Sequence, residues 1–386
     1  MIDNLNMHGT KTPHNQTKKE KSSQLSHCSY PIKLGFTKRC MASTISTMKN
    51  TKKVVLIGGG TGSYTVASGL RSANIDLTMV MTMVDDGGSN KIIRDEFGLL
   101  PTSGIRQAIV ALSDNKTILR KLFTYRFHKG GGNLEGMTFG NLFMAAMADI
   151  MQSQKKGIEE TCKLLQVHGT ILPSSFDDVR LVATYDDGSE VVGEHSIDEP
   201  SHTLGHKIIS LKTKPKARLN SDVKDAILAA DLVILGPGDF YTNTVANLVV
   251  EGMSDVIKQT QAKVMFITNL MTSPSETPGY ALSDFFKDLQ HYLPLNVLDF
   301  VLVNNNHHFN PKAIAIYNKE NSHPTIDDLQ AFRQVEPLFT AKVIRTDVLS
   351  EQVAQKVKGD AVSRSMIRHH SEKLATHIQK ILRKKS

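Results

Sequence analysis

The sequence of 386 residues has no tryptophan, only three cysteines and few aromatic residues, which make up 6% of the chain. Three cysteines without a C-x-x-C pair do not make a disulfide framework or a cysteine-based zinc site. This cysteine usage favours a reducing, cytoplasmic setting. No apolar run approaches the roughly 18 residues that cross a bilayer, which excludes a membrane-spanning helix. What remains is an ordinary globular composition, with 40% hydrophobic and 22% charged residues.

The positive charge is concentrated at the N-terminus. Residues 1–50 contain eight Lys or Arg and two acidic residues, so they supply +6 of the formal net charge of +8. This segment lacks hydrophobic periodicity, and we predict that it is a disordered basic extension. Two alternatives stay open: a transit-like segment, or an extension upstream of a true start at Met41 or Met48. The remainder is nearly neutral, so we expect no nucleic-acid-binding face.

Short apolar runs alternate with helical patterns along the rest of the chain. The runs typical of buried parallel strands are 54–57, 77–84, 232–235, 264–267 and 300–303. Helices are predicted over 64–71, 105–112, 117–123, 139–151, 158–167, 222–230, 247–260 and 365–383. The alternation predicts an α/β fold with a Rossmann-like, doubly wound, mostly parallel sheet.

Residues 170–215 have a different pattern. Two alternating segments, 179–185 and 191–194, flank an Asp-Gly turn and predict a β-hairpin, which a strand near 207–211 would join. We therefore expect a small antiparallel β insertion within a nucleotide-binding domain over 51–345. Residues 346–386 are expected to form a C-terminal segment and a helix that packs on this core.

A glycine-rich turn, Gly58–Ser63, follows the first predicted strand and precedes a helix. Glycine backbone can approach a ligand closely, and its amides join the helix N-terminus in an anion site. The turn is neither G-x-G-x-x-G nor a Walker A motif, because no lysine follows the last glycine. Phosphate binding and tight packing both explain such a turn, and we favour phosphate binding.

Polar residues follow several other predicted strands. The segment 85–89 (DDGGS) offers two carboxylates that suit ribose hydroxyls or Mg²⁺, with a simple turn as the alternative. The segment 236–242 repeats the strand-to-glycine-loop design, and Asn269 and 304–306 follow further strands. The carboxyl ends of parallel strands share one edge, so these residues predict a common binding crevice.

Two further features have plainer explanations. Thr138 suits a helix N-cap, and Asn141, one turn later, could face a ligand. The pairs at 307–308 and 369–370 are adjacent histidines, which we expect at the surface because no carboxylate or cysteine completes a ligand set. The residues alone indicate no general base or nucleophile.

Taken together, these stretches resemble the YvcK/CofD-like family. The matching segments occur in the family's order, at 52–62, 83–89, 94–101, 123–127, 138–142, 164–173, 177–183, 230–242, 269–280 and 366–375. The resemblance implies a Rossmann-like core with its site at the carboxyl edge of the sheet.

The resemblance divides into two branches. The CofD branch implies a transferase that joins a phospholactyl group from a guanylylated donor to a deazaflavin with a divalent metal such as Mg²⁺. The YvcK branch implies a gluconeogenesis factor that binds UDP-sugars, such as UDP-N-acetylglucosamine or UDP-glucose, and supports carbon-source adaptation and cell shape. The segments 236–242, 269–280 and 367–375 favour the YvcK branch, for which no cofactor is required. A homodimer and a regulatory protein partner stay open.

The resemblance implies a set of nucleotide- and phosphate-binding positions and no catalytic residue. These positions are Gly58, Gly59, Gly60, Thr61, Gly62, Ser63, Asp85, Asp86, Gly87, Gly88, Ser89, Asn141, Gly236, Gly238, Tyr241, Thr242, Asn269, Tyr280 and Arg368. If a metal binds, Asp85 or Asp86 is the expected ligand. Gly104 stands where the family usually has an acid and Met137 where it has a histidine. These departures favour binding over catalysis.

Overall fold

The computed structural model describes residues 51–113, 118–129, 134–199, 205–353 and 366–383. The extension predicted for residues 1–50 lies outside them. The described strands are β1 (Lys52–Gly58), β2 (Ile75–Met81), β3 (Thr170–Pro173), β4 (Arg180–Tyr185), β5 (Glu190–Val192), β6 (Ile208–Lys214), β7 (Leu232–Leu235), β8 (Lys263–Ile267), β9 (Phe300–Asn304) and β10 (Lys342–Thr346).

Seven of these strands form one parallel sheet in the order β10-β9-β8-β7-β1-β2-β3. The order reverses between β1 and β7, which lie side by side although much of the chain separates them. Residues 54–57 are buried on both faces of the sheet, which is why this strand is a continuous apolar run. The prediction of a doubly wound, mostly parallel sheet is confirmed.

The helices cover both faces of the sheet. They are α1 (Gly60–Leu70), α2 (Gly88–Phe97), α3 (Ser103–Leu112), α4 (Ile118–Phe123), α5 (Phe139–Ile150), α6 (Gln154–Leu164), α7 (Glu194–Asp198), α8 (Ser221–Leu228), α9 (Ala246–Leu248), α10 (Met253–Gln259), α11 (Leu282–Leu289), α12 (Pro311–Lys319), α13 (Leu329–Val335) and α14 (Ser371–Arg383). A π-helical turn, Phe240–Val245, leads into α9, and a 3₁₀ turn spans Leu295–Val297. None of the described helices is long and apolar enough to cross a membrane.

Alternate residues of the central strands serve two separate cores. Val55 and Ile57 pack in the core that includes Phe240 and the aromatic residues of α11. Val54 and Leu56 pack in the other core, with α1, α3 and the apolar face of α14. Each sheet face is therefore sealed by helices, and the site can form only where the strands end.

The antiparallel insertion predicted from the Asp-Gly turn is present as a three-stranded sheet in the order β5-β4-β6. The structure differs from the prediction elsewhere, and strand β10 and helices α7, α11, α12 and α13 were not predicted. Residues 170–173 form β3, which pairs in parallel with β2 and so belongs to the main sheet. The helix predicted over 247–260 is interrupted: α9 ends at Leu248, and Gly252, with a φ of +95°, precedes the start of α10. Helix α2, which follows the 85–89 segment, was not predicted.

Candidate functional site

Two glycine-containing loops meet where the strand order reverses. The first loop, Gly58–Ser63, follows β1, and the second loop, Gly236–Asp239, follows β7. The Ser63 hydroxyl accepts a hydrogen bond from the Gly59 amide at 3.1 Å and donates one to the Pro237 carbonyl at 2.8 Å. This crevice beyond the carboxyl ends of the strands is where open α/β sheets bind ligands.

The two loops lie so close together that glycine is required. A Cβ on Gly62 would lie 2.7 Å from the Pro237 carbonyl oxygen, and one on Gly238 would lie 2.6 Å from the Gly59 carbonyl oxygen. Neither oxygen can yield, since both belong to backbone. Close packing therefore explains these two glycines, and phosphate binding by the first loop stays a prediction.

A cavity of about 610 Å³ opens beside the two loops. Both loops contribute to its wall, together with α7, α12 and the segments after β8 and before α14. Its lining includes Gly60, Thr61, Gly62, Thr65, Gln107, Asp198, Glu199, Gly238, Asp239, Asn269, Tyr317, Glu320, Ser322, Ile367, Arg368 and His369. A volume of this size is typical of small-molecule sites, which span roughly 300–1,000 Å³.

The charges around the cavity are unequal. Four carboxylates line it, those of Asp198, Glu199, Asp239 and Glu320, whereas Arg368 is the single Lys or Arg among the lining residues that the structure describes. Arg368 lies in the segment that joins β10 to α14, next to Ile367 and His369. An anionic group that enters the cavity therefore depends on Arg368 and on backbone amides.

Three of the neighbouring carboxyl groups lie close enough to affect one another. Burial raises the pKa of Asp239, which accepts a hydrogen bond of 2.9 Å from the Asn243 side chain. Burial and the neighbouring Asp239 raise the pKa of Glu276 to about 8. Burial, together with Asp85, Asp239 and Glu276, also raises the pKa of Glu194 well above its usual value. This cluster of three carboxyl groups, of which only Asp239 lines the cavity, holds protons to a higher pH than free carboxyls do.

Tyr317 is a site residue that the sequence did not reveal. It is buried on α12, lines the cavity, and its hydroxyl oxygen accepts hydrogen bonds from the amides of Met366 and Ile367 at 3.1 and 3.4 Å. Tyr317 therefore holds the backbone directly before Arg368. No sequence motif includes Tyr317, and residues 310–345 have no clear helix or strand pattern. Only its position beside Met366 and Ile367 in the structure reveals its role.

His369 corrects one expectation. It is 7% exposed and lines the cavity, whereas the adjacent histidines were expected at the surface. Burial lowers the pKa of His369 to about 4, so the ring is neutral at neutral pH. The expectation is wrong for His369, which pairs with Leu349 in an isolated β-bridge and bonds the backbone of Thr268, but right for His307 and His308, which are exposed.

Asp85 and Asp86 lie at the end of β2 but are not among the cavity-lining residues. Asp85 accepts hydrogen bonds from the Ser103 hydroxyl and, at 3.0 Å, from the Gly87 amide. Asp86 forms an ion pair of 2.8 Å with Arg180 of β4 and accepts the His195 amide at 3.0 Å. All four carboxylate oxygens thus already have protein donors.

The two tyrosines named from the sequence lie in the core instead of the cavity wall. Tyr241 and Tyr280 are 1% and 4% exposed, and neither lines the cavity. Their hydroxyls both donate to Asp288, at 2.7 and 2.5 Å. The ring of Tyr280, expected to contact the ligand, is therefore packed against protein, with the Phe285 ring centroid 5.3 Å away.

The remaining predicted positions divide between packing and lining. Asn141 is buried and accepts the Arg106 Nε at 3.1 Å, while Thr138 caps α5 as expected. Asn269 lines the cavity and donates to the Gly238 carbonyl at 2.7 Å. Gly87 precedes α2 and Gly88 begins it; the side chain of Ser89 lies outside the described part of the structure. Thr242 is buried against Glu276 and does not line the cavity.

The chain is similar in sequence to a known family and to several named bacterial proteins. Residues 54–349 match the family "2-phospho-L-lactate transferase CofD". A protein from Thermotoga maritima named "Putative gluconeogenesis factor" is 36% identical over 332 residues, which cover 86% of this chain and 99% of the relative. A "Gluconeogenesis factor" from Halalkalibacterium halodurans is also 36% identical, over 72% of this chain and 84% of its own length.

The fold has a counterpart among solved structures. A crystal structure described as a member of the UPF0052 family, from Bacillus halodurans, superposes with a TM-score of 0.76 at 32% identity and covers 86% of this chain and 99% of that one. Because the family pattern spans most of the chain and these relatives match over most of their length, the chain belongs to the CofD family, and within it to the UPF0052 proteins called gluconeogenesis factors.

Proposed function

We propose that the chain binds a nucleoside diphosphate sugar of the UDP-N-acetylglucosamine or UDP-glucose type in this cavity, as a regulatory protein without turnover. The observation that supports the proposal is the shared wall: the N-terminus of α1 and the Arg368 guanidinium both border one cavity of about 610 Å³. Such a cavity holds a ligand with an anionic centre and two uncharged ends.

The diphosphate is assigned to the first loop. Helix α1 has 11 residues, no side-chain cap and no acidic residue in its first turn, so its amide end favours an anion. Arg368 provides a planar cation that can bind two phosphate oxygens at once. Backbone amides and one arginine provide enough hydrogen-bond donors and positive charge for a diphosphate. They provide too little positive charge for a more highly charged ligand.

The acidic part of the lining suits a sugar. Carboxylates accept hydrogen bonds, and the hydroxyls of ribose and of a hexose donate them. Asp198, Glu199 and Glu320 line the cavity and provide such acceptors. A nucleoside triphosphate, which carries more negative charge than a diphosphate sugar, would be repelled more strongly by the same residues.

The relatives named gluconeogenesis factors support a physiological role in carbon metabolism. UDP-sugars connect central carbon supply to the cell envelope, and a cytoplasmic protein that senses them could adjust growth on gluconeogenic carbon sources and cell shape. On this proposal the chain is a sensor whose bound state acts on a further protein partner.

A metal-dependent phospholactyl transferase is the alternative that the family description raises. Asp85 and Asp86, the residues expected to hold Mg²⁺, do not fit that role as placed. Their oxygens are taken by Ser103, Gly87, Arg180 and His195. Mg²⁺ prefers several open oxygen ligands in octahedral geometry, and no such set is offered here.

Isothermal titration calorimetry separates the two functions. The full chain is titrated with UDP-N-acetylglucosamine, UDP-glucose, GDP and NAD, each with and without Mg²⁺. We expect saturable UDP-sugar binding in the absence of Mg²⁺, with the UDP-sugar unchanged after incubation. Binding of GDP only with Mg²⁺, together with conversion of a deazaflavin acceptor, would establish the transferase instead.

A further inference from the structure

We propose that Glu276 is the positioning residue of the second loop: by holding the first amides of the Phe240–Val245 turn, it fixes the loop that forms one wall of the cavity. Glu276 lies in the segment between β8 and α11, is 1% exposed, and does not itself line the cavity. Its effect on a ligand must therefore act through the loop. The link to a ligand rests on the proposed function, whereas the link to the loop does not.

Both oxygens of Glu276 are directed at this turn. Oε2 accepts the Tyr241 amide at 2.7 Å, and Oε1 accepts the Thr242 amide at 3.3 Å and the Thr242 hydroxyl at 2.5 Å. The first amides of a helical segment have no partner within the helix. Asp239, at the N-cap position, makes no side-chain cap bond, and the carboxyl group of Glu276, 34 and 35 residues further along the chain, accepts the amides instead.

The second loop transmits the position of this turn to the cavity. Its Asp239 lines the cavity and is bonded to Asn243 within the turn. Its Gly238 accepts a hydrogen bond from Asn269 and lies so close to the first loop that a Cβ on it would meet the Gly59 carbonyl oxygen at 2.6 Å. If the amides of Tyr241 and Thr242 were released, the turn that carries Asn243 would lose its anchor, and Asp239 would be held less firmly beside the first loop.

Hydrogen exchange of the ligand-free protein tests the first half of the inference. Glu276→Ala and Glu276→Gln should speed exchange of the amides of Tyr241 and Thr242 by roughly tenfold or more. The matched control is Ser283→Ala, which removes a buried hydroxyl that donates to Asp328 at 2.5 Å, outside the loop. That control should leave exchange over 239–245 unchanged. Unchanged exchange in both Glu276 variants would refute the role of Glu276.

Affinity tests the second half. Both Glu276 variants should bind UDP-N-acetylglucosamine at least about tenfold more weakly than wild type, and Ser283→Ala within about twofold. Thr242→Val, which keeps both amide bonds, should give an intermediate loss and covers the case in which the Glu276 variants fold poorly. Faster exchange with unchanged affinity would overturn the positioning role. If wild type itself does not bind the UDP-sugar, the proposed function fails, while the exchange result still decides whether Glu276 fixes the loop.

Discussion

The hydroxyl of Ser63 donates a hydrogen bond of 2.8 Å to the carbonyl of Pro237, which lies 174 residues further along the chain. The same hydroxyl accepts the Gly59 amide at 3.1 Å. One buried side chain thereby ties the two loops of the crevice to each other.

Ser63→Ala should lower the free energy of unfolding by about 1–3 kcal/mol, since it leaves a buried amide and a buried carbonyl without this partner. Urea denaturation followed by circular dichroism measures the change. Thr376→Ala is the control, because its exposed hydroxyl donates only to the Glu372 carbonyl within α14. A loss for Ser63→Ala no larger than that of the control would contradict the tie between the loops.

Arg368→Ala should weaken binding of UDP-N-acetylglucosamine by about tenfold to a hundredfold, because the described lining has no second Lys or Arg to replace it. Arg368→Lys should recover part of the loss, as it restores charge without the bidentate geometry. Calorimetry measures both. An affinity for Arg368→Ala equal to that of wild type would remove Arg368 from the site.

Tyr317→Phe removes the hydroxyl that accepts the amides of Met366 and Ile367, and so loosens the backbone before Arg368. We expect a smaller loss of UDP-sugar affinity than for Arg368→Ala, of about threefold to tenfold. The ring itself remains in the cavity wall. If Tyr317→Phe binds as tightly as wild type, the hydroxyl does not position Arg368.

The stability that Glu276 contributes should fall as pH rises between about 5 and 8. The pKa of Glu276 is raised to about 8 from its usual value of 4.5, so in this window the folded state holds a proton that the unfolded state has released. Asp239→Asn removes a charge that raises this pKa and should flatten the slope by on the order of 1 kcal/mol across the window. Urea unfolding at several pH values tests this, and an equally steep slope in Asp239→Asn would count against the coupling.

His369 predicts the opposite trend at lower pH. Its pKa is about 4 in the folded state against 6.5 ordinarily, so the stability that it contributes is present above pH 6.5 and is lost as pH falls through 4. His369→Gln should lessen this acid-induced loss, and His307→Gln, at an exposed position, should leave it unaltered. The comparison of unfolding free energies at pH 7 and pH 4.5 provides the measurement.

The sequence predicted the parts of the fold that depend on local pattern. Val54–Ile57 is apolar throughout because both faces of β1 are covered. The glycines after it predict a loop whether they bind phosphate or only allow close packing. Asp186 to Gly188 likewise reveals the hairpin. What the sequence could not show are partners that distant segments provide. Arg180 donates a hydrogen bond to Asp86, which lies 94 residues away in the sequence. Tyr317 accepts hydrogen bonds from Met366 and Ile367, which lie about 50 residues away.

The two loops that border the cavity are far apart in the sequence, because one follows β1 and the other follows β7. The first loop lies near the start of the described chain. Its strand, β1, pairs with β7, and the antiparallel insertion and several helices lie between these two strands in the sequence. The binding pocket is consequently a product of high contact order and is complete only when the central strands have paired. Because a ligand that binds only the native state stabilises it by mass action, occupancy of this pocket would raise the free energy of unfolding of the sheet, and binding capacity would report how much of a preparation is fully folded.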